Sequence, residues 1–161
     1  MEHFDLFALG HFGAVASGGI ECRDASTGGA NFFRQGYVSV DPNKTIRVRS
    51  TNDKAFLTIK GKSEGATRKE FEYEIPKVDA LELLDHFSVS ELSKKRYCLS
   101  VGGKTWEVDE FFGDNEGLPM AEIELLSEDE SFEIPVWIGE EVTGDERYYN
   151  SKLTLHPFKF W

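Results

Sequence analysis

The amino-acid sequence predicts an α+β fold that is mostly β, with about eight strands that are largely antiparallel. Apolar and polar residues alternate in successive segments, and this period of two is typical of strands with one buried face. Turn residues such as Asp41-Pro42-Asn43 and Gly102-Gly103 separate the segments, and short turns of this kind join antiparallel neighbours. Like-charged residues also recur two apart along the segments, so each pair would stand on one face of the sheet.

The predicted elements follow one another closely from residue 36 onward. A poorly formed strand is expected before them, at 4–9, and the Gly-rich segment after it contains no phosphate-binding loop motif. Helical spacing predicts one outer helix between Pro76 and Phe87, and a second, short helix is expected at 145–153. The strands predicted by alternation are 36–40, 45–50, 55–60, 68–75, 94–101, 105–111, 120–126 and 132–138.

Composition limits the classes of function. The chain, 1–161, is predicted to be a single domain with an atypical N-terminal segment at 1–34. A net charge of -11 argues against non-specific nucleic-acid binding, although a cleft can still be basic locally. No apolar run reaches the roughly 18 residues that a membrane-spanning helix needs, so we expect no membrane partner and a cytoplasmic location. Cys22 and Cys98 lack metal-ligand spacing and are expected to be free thiols in a reducing compartment.

Six pairs of like charges, three basic and three acidic, recur along the predicted strands. A solvent-exposed sheet face accounts for one such pair, but such faces usually mix signs to gain cross-strand ion pairs. Separation of the signs over six strands instead favours a sheet that closes into a barrel with its charged face inward. The pairs are Arg47 and Arg49, Lys60 and Lys62, Glu70 and Glu72, Lys94 and Arg96, Glu107 and Asp109, and Glu122 and Glu124.

A charged barrel interior of this kind suits a triphosphate held together with metal ions. Guanidinium and ammonium groups bind phosphate oxygens, whereas carboxylates bind Mg²⁺ or Mn²⁺ through hard oxygen atoms. Buried like charges would be costly without such a ligand. The four histidines show no paired spacing for a metal, and no motif predicts a covalent nucleophile. The sequence therefore predicts a small triphosphate ligand, with Mg²⁺ or Mn²⁺ as the cofactor.

Nine short motifs between residues 35 and 155 resemble, in order, the CYTH family of triphosphate tunnel metalloenzymes, and most of all its small bacterial inorganic triphosphatases. The resemblance implies a closed antiparallel eight-stranded tunnel with a few outer helices. It also implies metal-dependent chemistry on a triphosphate. The motifs lie at 35–37, 46–49, 57–60, 68–72, 94–97, 106–111, 121–125, 137–143 and 147–150.

By motif position, the resemblance also implies roles for individual residues. Tyr37 would help to activate the attacking water, and Lys94 would stabilise charge in the reaction. The side chains expected to hold phosphate are Arg47, Arg49, Lys60, Lys94 and Arg96. The side chains expected to bind metal are Glu70, Glu72, Asp109, Glu122 and Glu124. Three further residues are in phase but match no family motif, and we expect them at the lining or the rim: Lys62, Glu74 and Glu107.

The N-terminal segment departs from the family. The family's first strand reads Glu-x-Glu-x-Lys, and residues 1–34 lack this motif; Glu2, Phe4 and Leu6 stand at the matching spacing. Two explanations stay open. The protein is a variant that binds triphosphate without turnover, or the segment is read in a shifted frame or from a wrong start. The change of composition near residue 34 favours the second explanation.

The sequence thus predicts metal-dependent hydrolysis of inorganic triphosphate, or of a similar small triphosphate, inside the tunnel. An adenylate cyclase of the same family is one alternative. A non-catalytic protein that binds triphosphate or polyphosphate is another, because the first-strand motif is absent. We expect no nucleic-acid partner, and a homodimer is one possible assembly.

Overall fold

The structure, a computed structural model, describes residues 3–9, 30–41, 43–64, 67–125 and 130–161. Within these ranges, nine strands form one antiparallel sheet in the spatial order β5-β4-β3-β2-β6-β7-β8-β1-β9. Two α-helices, α1 (Lys77–Phe87) and α2 (Asn150–Leu153), accompany it, together with three short 3-10 helices. The strands are β1 (His3–Leu9), β2 (Asn31–Asp41), β3 (Lys44–Ser50), β4 (Ala55–Glu64), β5 (Thr67–Glu74), β6 (Ser90–Val101), β7 (Lys104–Phe111), β8 (Pro119–Leu125) and β9 (Ile138–Glu141).

The strand expected at 4–9 is confirmed as β1, and seven of the eight strands predicted by alternation are confirmed as β2 to β8. β2 begins earlier than predicted, at Asn31, because residues 31–35 pair with β6. β6 and β7 form a tight hairpin that turns at Gly102 (φ 59°) and Gly103 (φ 78°). Positive φ at both central residues is what such a hairpin turn requires, and glycine adopts it without strain.

The prediction of a strand at 132–138 is wrong. Pro135 stands inside it and has no N–H for a strand pair, and its carbonyl instead accepts a hydrogen bond from Ile138 N (3.0 Å). The chain therefore becomes a strand only at Ile138, where β9 begins and pairs with β1. The helix predicted at 145–153 is also divided. A 3-10 turn precedes α2, because Tyr149 between them is extended.

The sheet curls, so that one of its faces becomes concave. Side chains from β2, β3, β4, β6, β7 and β8 line one common cavity, which a flat sheet could not arrange. In the part of the chain that the structure describes, pairing ends with β5 at one edge and β9 at the other. The mostly-β fold is confirmed, but the closed eight-stranded barrel is not.

Two clusters of the apolar core lie on the convex side of the sheet. A third cluster, formed by β6, β7, β8 and α2, lies on the same face as the charged residues. Behind β7 and β8, Trp106 meets Phe132 and Trp137 edge to face, with ring centroids 5.8 Å and 5.9 Å away. Behind β3, helix α1 covers the buried Val48 with Leu84. Along β3, β7 and β8, the apolar residues of the two convex clusters alternate with charged residues, which therefore stand on the concave side.

Two further expectations concern the cysteines and the N-terminal segment. Cys98, on β6, is buried and disulfide-bonded, so the expectation of a free thiol there is wrong. Cys22 and the loops predicted after β1 lie outside the described residues. No helix in the described ranges has the length and apolarity needed to cross a membrane.

Candidate active site

The concave face surrounds a cavity of about 380 Å³ that is lined mostly by charged side chains. Five of these side chains are cationic and three are carboxylates. Such a lining suits a ligand with several negative charges, bound together with a cation. The lining residues are Phe33, Gln35, Arg47, Arg49, Lys60, Lys94, Arg96, Glu107, Glu122, Glu124 and Asn150.

Charge on the concave face is sorted by strand. From one edge inward, acidic β5 is followed by basic β4 and β3, then by β2, whose Phe33, Gln35 and Tyr37 are neutral, then by basic β6 and acidic β7 and β8. β2 therefore separates two halves. We call them the β3–β5 half (Arg47, Arg49, Thr58, Lys60, Glu70, Glu72) and the β6–β8 half (Lys94, Arg96, Glu107, Asp109, Glu122, Glu124).

In the β6–β8 half, the cations are already bound by carboxylates. Asp109 accepts a hydrogen bond from Lys94 Nζ at 2.5 Å, and its two oxygens accept from Arg96 Nε and Nη2 at 2.6 Å each. Arg96 also donates to Glu107 and, at 3.0 Å, to Glu122. Lys94 and Asp109 are only 3% and 4% exposed. The centre of this half is therefore a buried ion pair, and Arg96 extends it to Glu107 and Glu122, whose side chains are partly exposed.

The network shifts the pKa values of its members. Burial and the neighbouring Arg96 lower the pKa of Lys94, although Asp109 opposes them. Burial alone would raise the pKa of Asp109, but Lys94 and Arg96 outweigh it and bring that pKa below its ordinary value. For Arg96, burial alone would lower the pKa, and the three carboxylates around it outweigh burial and raise it. Asp109 is therefore ionised and Arg96 charged at neutral pH.

The β6–β8 half contains four carboxylates but two cations. Glu107 and Glu122 are directly opposite on β7 and β8, and Glu124 lines the same cavity. Like charges placed in this way repel, and a divalent cation would offset the excess. The carboxylate oxygens of Glu107, Glu122 and Glu124 are the donors that Mg²⁺ and Mn²⁺ prefer, so this donor set fits such an ion. Their side chains would have to turn toward one another, since no three acidic, His or Cys side chains in the described ranges stand close enough to bind one ion.

In the β3–β5 half, the ion pairs are more exposed, and those of the arginines are long. Glu72 Oε2 accepts from Arg47 Nη2 and Arg49 Nη2 at 3.4 Å each. Lys60 Nζ lies 2.8 Å from Glu70 Oε2. The side chains of Glu72 and Glu70 are 37% and 43% exposed. Exposed pairs are screened by water and stabilise a fold only weakly.

The two guanidinium groups of the β3–β5 half keep donors without partners. Arg47 Nε and Arg49 Nε are buried and make no hydrogen bond to the residues that the structure describes. Burial and the charge of Arg47 lower the pKa of Arg49. An unpaired buried donor costs about 1–3 kcal/mol, so a ligand rich in acceptor atoms would stabilise this half.

Neutral residues of β2 stand between the two halves. The Phe33 ring lies 5.9 Å from the Arg49 guanidinium carbon and 5.6 Å from that of Arg96. Gln35 is 2% exposed, and its Nε2 makes no hydrogen bond to the described residues. Tyr37 is buried on the same face but does not line the cavity. Burial raises the pKa of Tyr37, with two nearby arginines acting in the opposite direction, so the phenol stays protonated at neutral pH.

The structure brings most of the predicted site residues to the cavity, although their individual roles stay predictions. Glu70, Glu72 and Asp109 contact cations on the concave face and do not line the cavity. Tyr37 lies beside it. The predicted residues that line the cavity are Arg47, Arg49, Lys60, Lys94, Arg96, Glu122 and Glu124.

Sequence reasoning assigned no binding or catalytic role to four of the residues that line the cavity: Phe33, Gln35, Glu107 and Asn150. Asn150 begins α2, and its Oδ1 accepts a hydrogen bond from Lys94 Nζ at 3.2 Å. Gln35 and Asn150 belong to the motifs at 35–37 and 147–150, and Glu107 is in phase with Asp109. Motif membership or strand phase therefore marked Gln35, Glu107 and Asn150 in the sequence. Charge patterning did not detect Gln35 and Asn150, because their side chains are neutral.

The sequence model of the CYTH domain matches residues 21–154. The chain belongs to the CYTH domain family. Two curated relatives of this CYTH domain are named inorganic triphosphatase. The protein from Acetivibrio thermocellus is 52% identical over 128 residues, which is 79% of this chain and 82% of that protein. The protein from Nitrosomonas europaea is 35% identical over 127 residues, 76% of this chain and 83% of that protein.

The fold of this CYTH domain is likewise similar to a solved structure. A crystal structure of an inorganic triphosphatase is 30% identical to it, with a TM-score of 0.72, and the match covers 96% of this chain and 95% of that chain. The family resemblance that the sequence motifs predict is thereby confirmed.

Proposed function

We propose that this CYTH domain hydrolyses inorganic triphosphate, or a similar small triphosphate, with Mg²⁺ or Mn²⁺. One observation carries the proposal: a single cavity with cations on β3, β4 and β6 and carboxylates on β7 and β8. The names of the two curated relatives and of the solved structure support the substrate. In this reaction, water attacks the terminal phosphorus and the bond to the bridging oxygen breaks. With inorganic triphosphate, the products are orthophosphate and pyrophosphate.

In this proposal, the β3–β5 half holds the phosphate chain. Arg47 and Arg49 have unpaired buried donors and long contacts to Glu72, so phosphate oxygens can replace that carboxylate at little cost. Lys60 lines the same side of the cavity as a third positive charge.

The β6–β8 half would contribute fixed charge. Asp109 and Asn150 hold the buried Lys94 ammonium, and Asp109 holds the Arg96 guanidinium. Groups that are already oriented need no reorganisation when charge develops on the departing phosphate, which is how such sites lower a barrier. Lys94 and Arg96 would therefore stabilise the leaving pyrophosphate.

Glu107, Glu122 and Glu124 are the side chains that would hold the metal ion, because they line the cavity where carboxylates exceed cations. A bound Mg²⁺ or Mn²⁺ would supply positive charge to the phosphate oxygens. Asp109 fits this role less well, since both of its oxygens already accept hydrogen bonds from Lys94 and Arg96.

Tyr37 is the predicted residue for positioning water. Its raised pKa keeps the hydroxyl protonated, so it would act as a hydrogen-bonding group and not as a phenolate base.

Binding without turnover is the second candidate, and the register of β1 favours it. Phe4 stands opposite Glu124 and Leu6 opposite Glu122. The family motif would place an acidic residue and a lysine at these two positions, whereas this chain has apolar ones. The same cavity would then bind triphosphate without its hydrolysis.

An adenylate cyclase is less well supported. Phe33 is the one aromatic residue among the described residues that line the cavity, and its ring already contacts the guanidinium groups of Arg49 and Arg96. An adenine base would therefore find no ring to stack on.

Three finer expectations belong to the proposal. The sheet would close into the eight-stranded tunnel around a bound phosphate chain, and a homodimer would be detected by its mass in solution. A cytoplasmic location is expected, although the disulfide bond of Cys98 is uncommon in that compartment. Alkylation of free thiols in intact cells tests the location, because a disulfide bond at Cys98 would indicate an oxidising compartment.

The proposed activity is tested with the purified full chain. Inorganic triphosphate and ATP are supplied in parallel, with Mg²⁺, with Mn²⁺ and with EDTA. We expect orthophosphate release from triphosphate that requires a metal and stops with EDTA. Stabilisation by triphosphate without release would establish the non-catalytic binder, and cyclic AMP from ATP would establish the cyclase. No binding and no release would exclude all three.

A further inference from the structure

Gln35 is a buried polar residue whose side chain is not explained by the fold. It lies in the middle of β2, opposite Arg49 on β3 and Leu92 on β6. Its side chain lines the cavity and is 2% exposed, and Nε2 has no hydrogen-bond partner among the described residues. Buried amide groups are almost always paired, because an unpaired one is costly.

The residues around Gln35 indicate what kind of ligand would form a hydrogen bond with it. The nearest charged partners on β3, Arg47 and Arg49, also have buried Nε donors without partners. Three unpaired donors therefore lie on adjacent strands at one side of the cavity. A ligand that satisfies them must bring several acceptor atoms, and an oxygen-rich phosphate chain does so.

The amide can reach such a ligand through a small movement. Nε2 itself is covered by neighbouring atoms in the structure. Rotation about the last bond of a glutamine side chain meets a broad, low barrier, so the amide can turn toward the cavity when an acceptor enters.

We infer that Gln35 binds the substrate directly, by donating a hydrogen bond from its side-chain amide to a phosphoryl oxygen beside Arg49. This inference rests on the proposed function. Gln35 adds a neutral donor between the cations of the two halves. Gln35 therefore fixes the position of the phosphate chain without adding to the charge of the site.

The inference predicts opposite effects on folding and on binding. Gln35→Met keeps the size of the side chain and removes an unpaired donor. The unfolding temperature of the protein without ligand should stay the same or rise. The Kd for inorganic triphosphate should increase by about tenfold or more, because a hydrogen bond to a charged group is lost.

Ser39→Ala is the matched control on the same strand. Ser39 Oγ donates to Lys44 O at 2.7 Å, outside the cavity. This variant should lower the unfolding temperature and leave the Kd unchanged. Gln35→Glu provides a second variant if the Met variant does not fold, and its negative charge should weaken triphosphate binding.

The Kd is measured by titration of each folded variant with inorganic triphosphate. Weaker binding by Gln35→Met at unchanged stability supports the inference. An unchanged Kd in Gln35→Met or in Gln35→Glu, with binding by the wild type intact, would overturn it and leave the proposed function standing. Failure of the wild type to bind triphosphate would overturn the proposed function itself.

Discussion

The two halves of the concave face carry the same kinds of charge but hold them differently. In the β6–β8 half, Asp109 is buried and bound to Lys94 at 2.5 Å and to Arg96 at 2.6 Å. In the β3–β5 half, Glu72 is 37% exposed and meets Arg47 and Arg49 at 3.4 Å. In the β6–β8 half, the cations are therefore held by the buried carboxylate of Asp109. In the β3–β5 half, the cations are held weakly and can bind a ligand.

The difference also separates stability from function. A buried ion pair is costly to break, because the remaining charge cannot be solvated, whereas an exposed pair is screened and contributes little. Substitutions that break the buried pair of Lys94 and Asp109 should therefore act first on folding. Substitutions in the β3–β5 half should act first on binding.

The largest effect is expected from Asp109→Asn. The change leaves the buried Lys94 and Arg96 without their shared carboxylate, and should lower the free energy of unfolding by about 3–5 kcal/mol. Urea unfolding at neutral pH measures the loss. Glu72→Gln is the matched control from the other half. An equal loss in both variants would contradict the comparison.

Arg49→Ala should act on binding more than on folding. The variant loses one long contact to Glu72 and the ring contacts to Phe33 and Phe56, but it also removes an unfavourable burial. The free energy of unfolding should therefore change less than in Asp109→Asn. The Kd for triphosphate should rise by about tenfold or more, because a guanidinium-to-phosphate contact is lost. Calorimetric titration measures the Kd.

The control for Arg49→Ala is Arg34→Ala. Arg34 pairs with Asp85 at 2.7 Å and with Glu91, away from the cavity. Binding should be unchanged in this variant. If both alanine variants weaken binding equally, the effect is one of net charge and not of the site.

The pH dependence of stability should differ between the wild type and Asp109→Asn. The folded-state pKa of Asp109 lies below its ordinary value of 3.8. The unfolded chain therefore binds the proton more readily, and the stabilisation is complete above pH 3.8 and lost as the pH falls through the folded-state pKa. Urea unfolding at a series of acid pH values should show a shallower decline in the variant. Identical slopes would mean that Asp109 is not the titrating group.

The smallest effect is expected from Glu72→Gln. The carboxylate is partly exposed, so the free energy of unfolding should fall by about 1 kcal/mol or less. The Mg²⁺ dependence of phosphate release should be unchanged, because Glu72 faces Arg47, Arg49 and Thr58 in the structure. A higher Mg²⁺ requirement would instead support Glu72 as a metal ligand, as the family resemblance implies.

The sequence predicted the strands and the inward charges well, because alternation records directly which face of a strand is buried. Alternation predicts that Arg47, Arg49, Lys94 and Arg96 stand on the polar face of their strands. Separation of the signs and the family resemblance predict that this face is the inner one. Their partners could not be predicted, since the pairing of Lys94 with Asp109 depends on β6 lying beside β7, and the isolation of Gln35 depends on β2 lying between β3 and β6.

Other features depend on residues that alternation does not weigh. Pro135 interrupts a segment that otherwise resembles a strand, and the extended Tyr149 divides the C-terminal helix. Asn150 reaches Lys94 across the sequence distance between α2 and β6; the motif at 147–150 contains it, but alternation and charge do not mark it.

Orthophosphate release from inorganic triphosphate by the wild type and by Arg49→Ala, each with Mg²⁺ and with EDTA, is the measurement that tests the account most directly. We predict release by the wild type that EDTA abolishes, and release by the folded Arg49→Ala variant that is lower by about tenfold or more at limiting substrate. Equal rates in the two proteins would contradict the assignment of this cavity as the site.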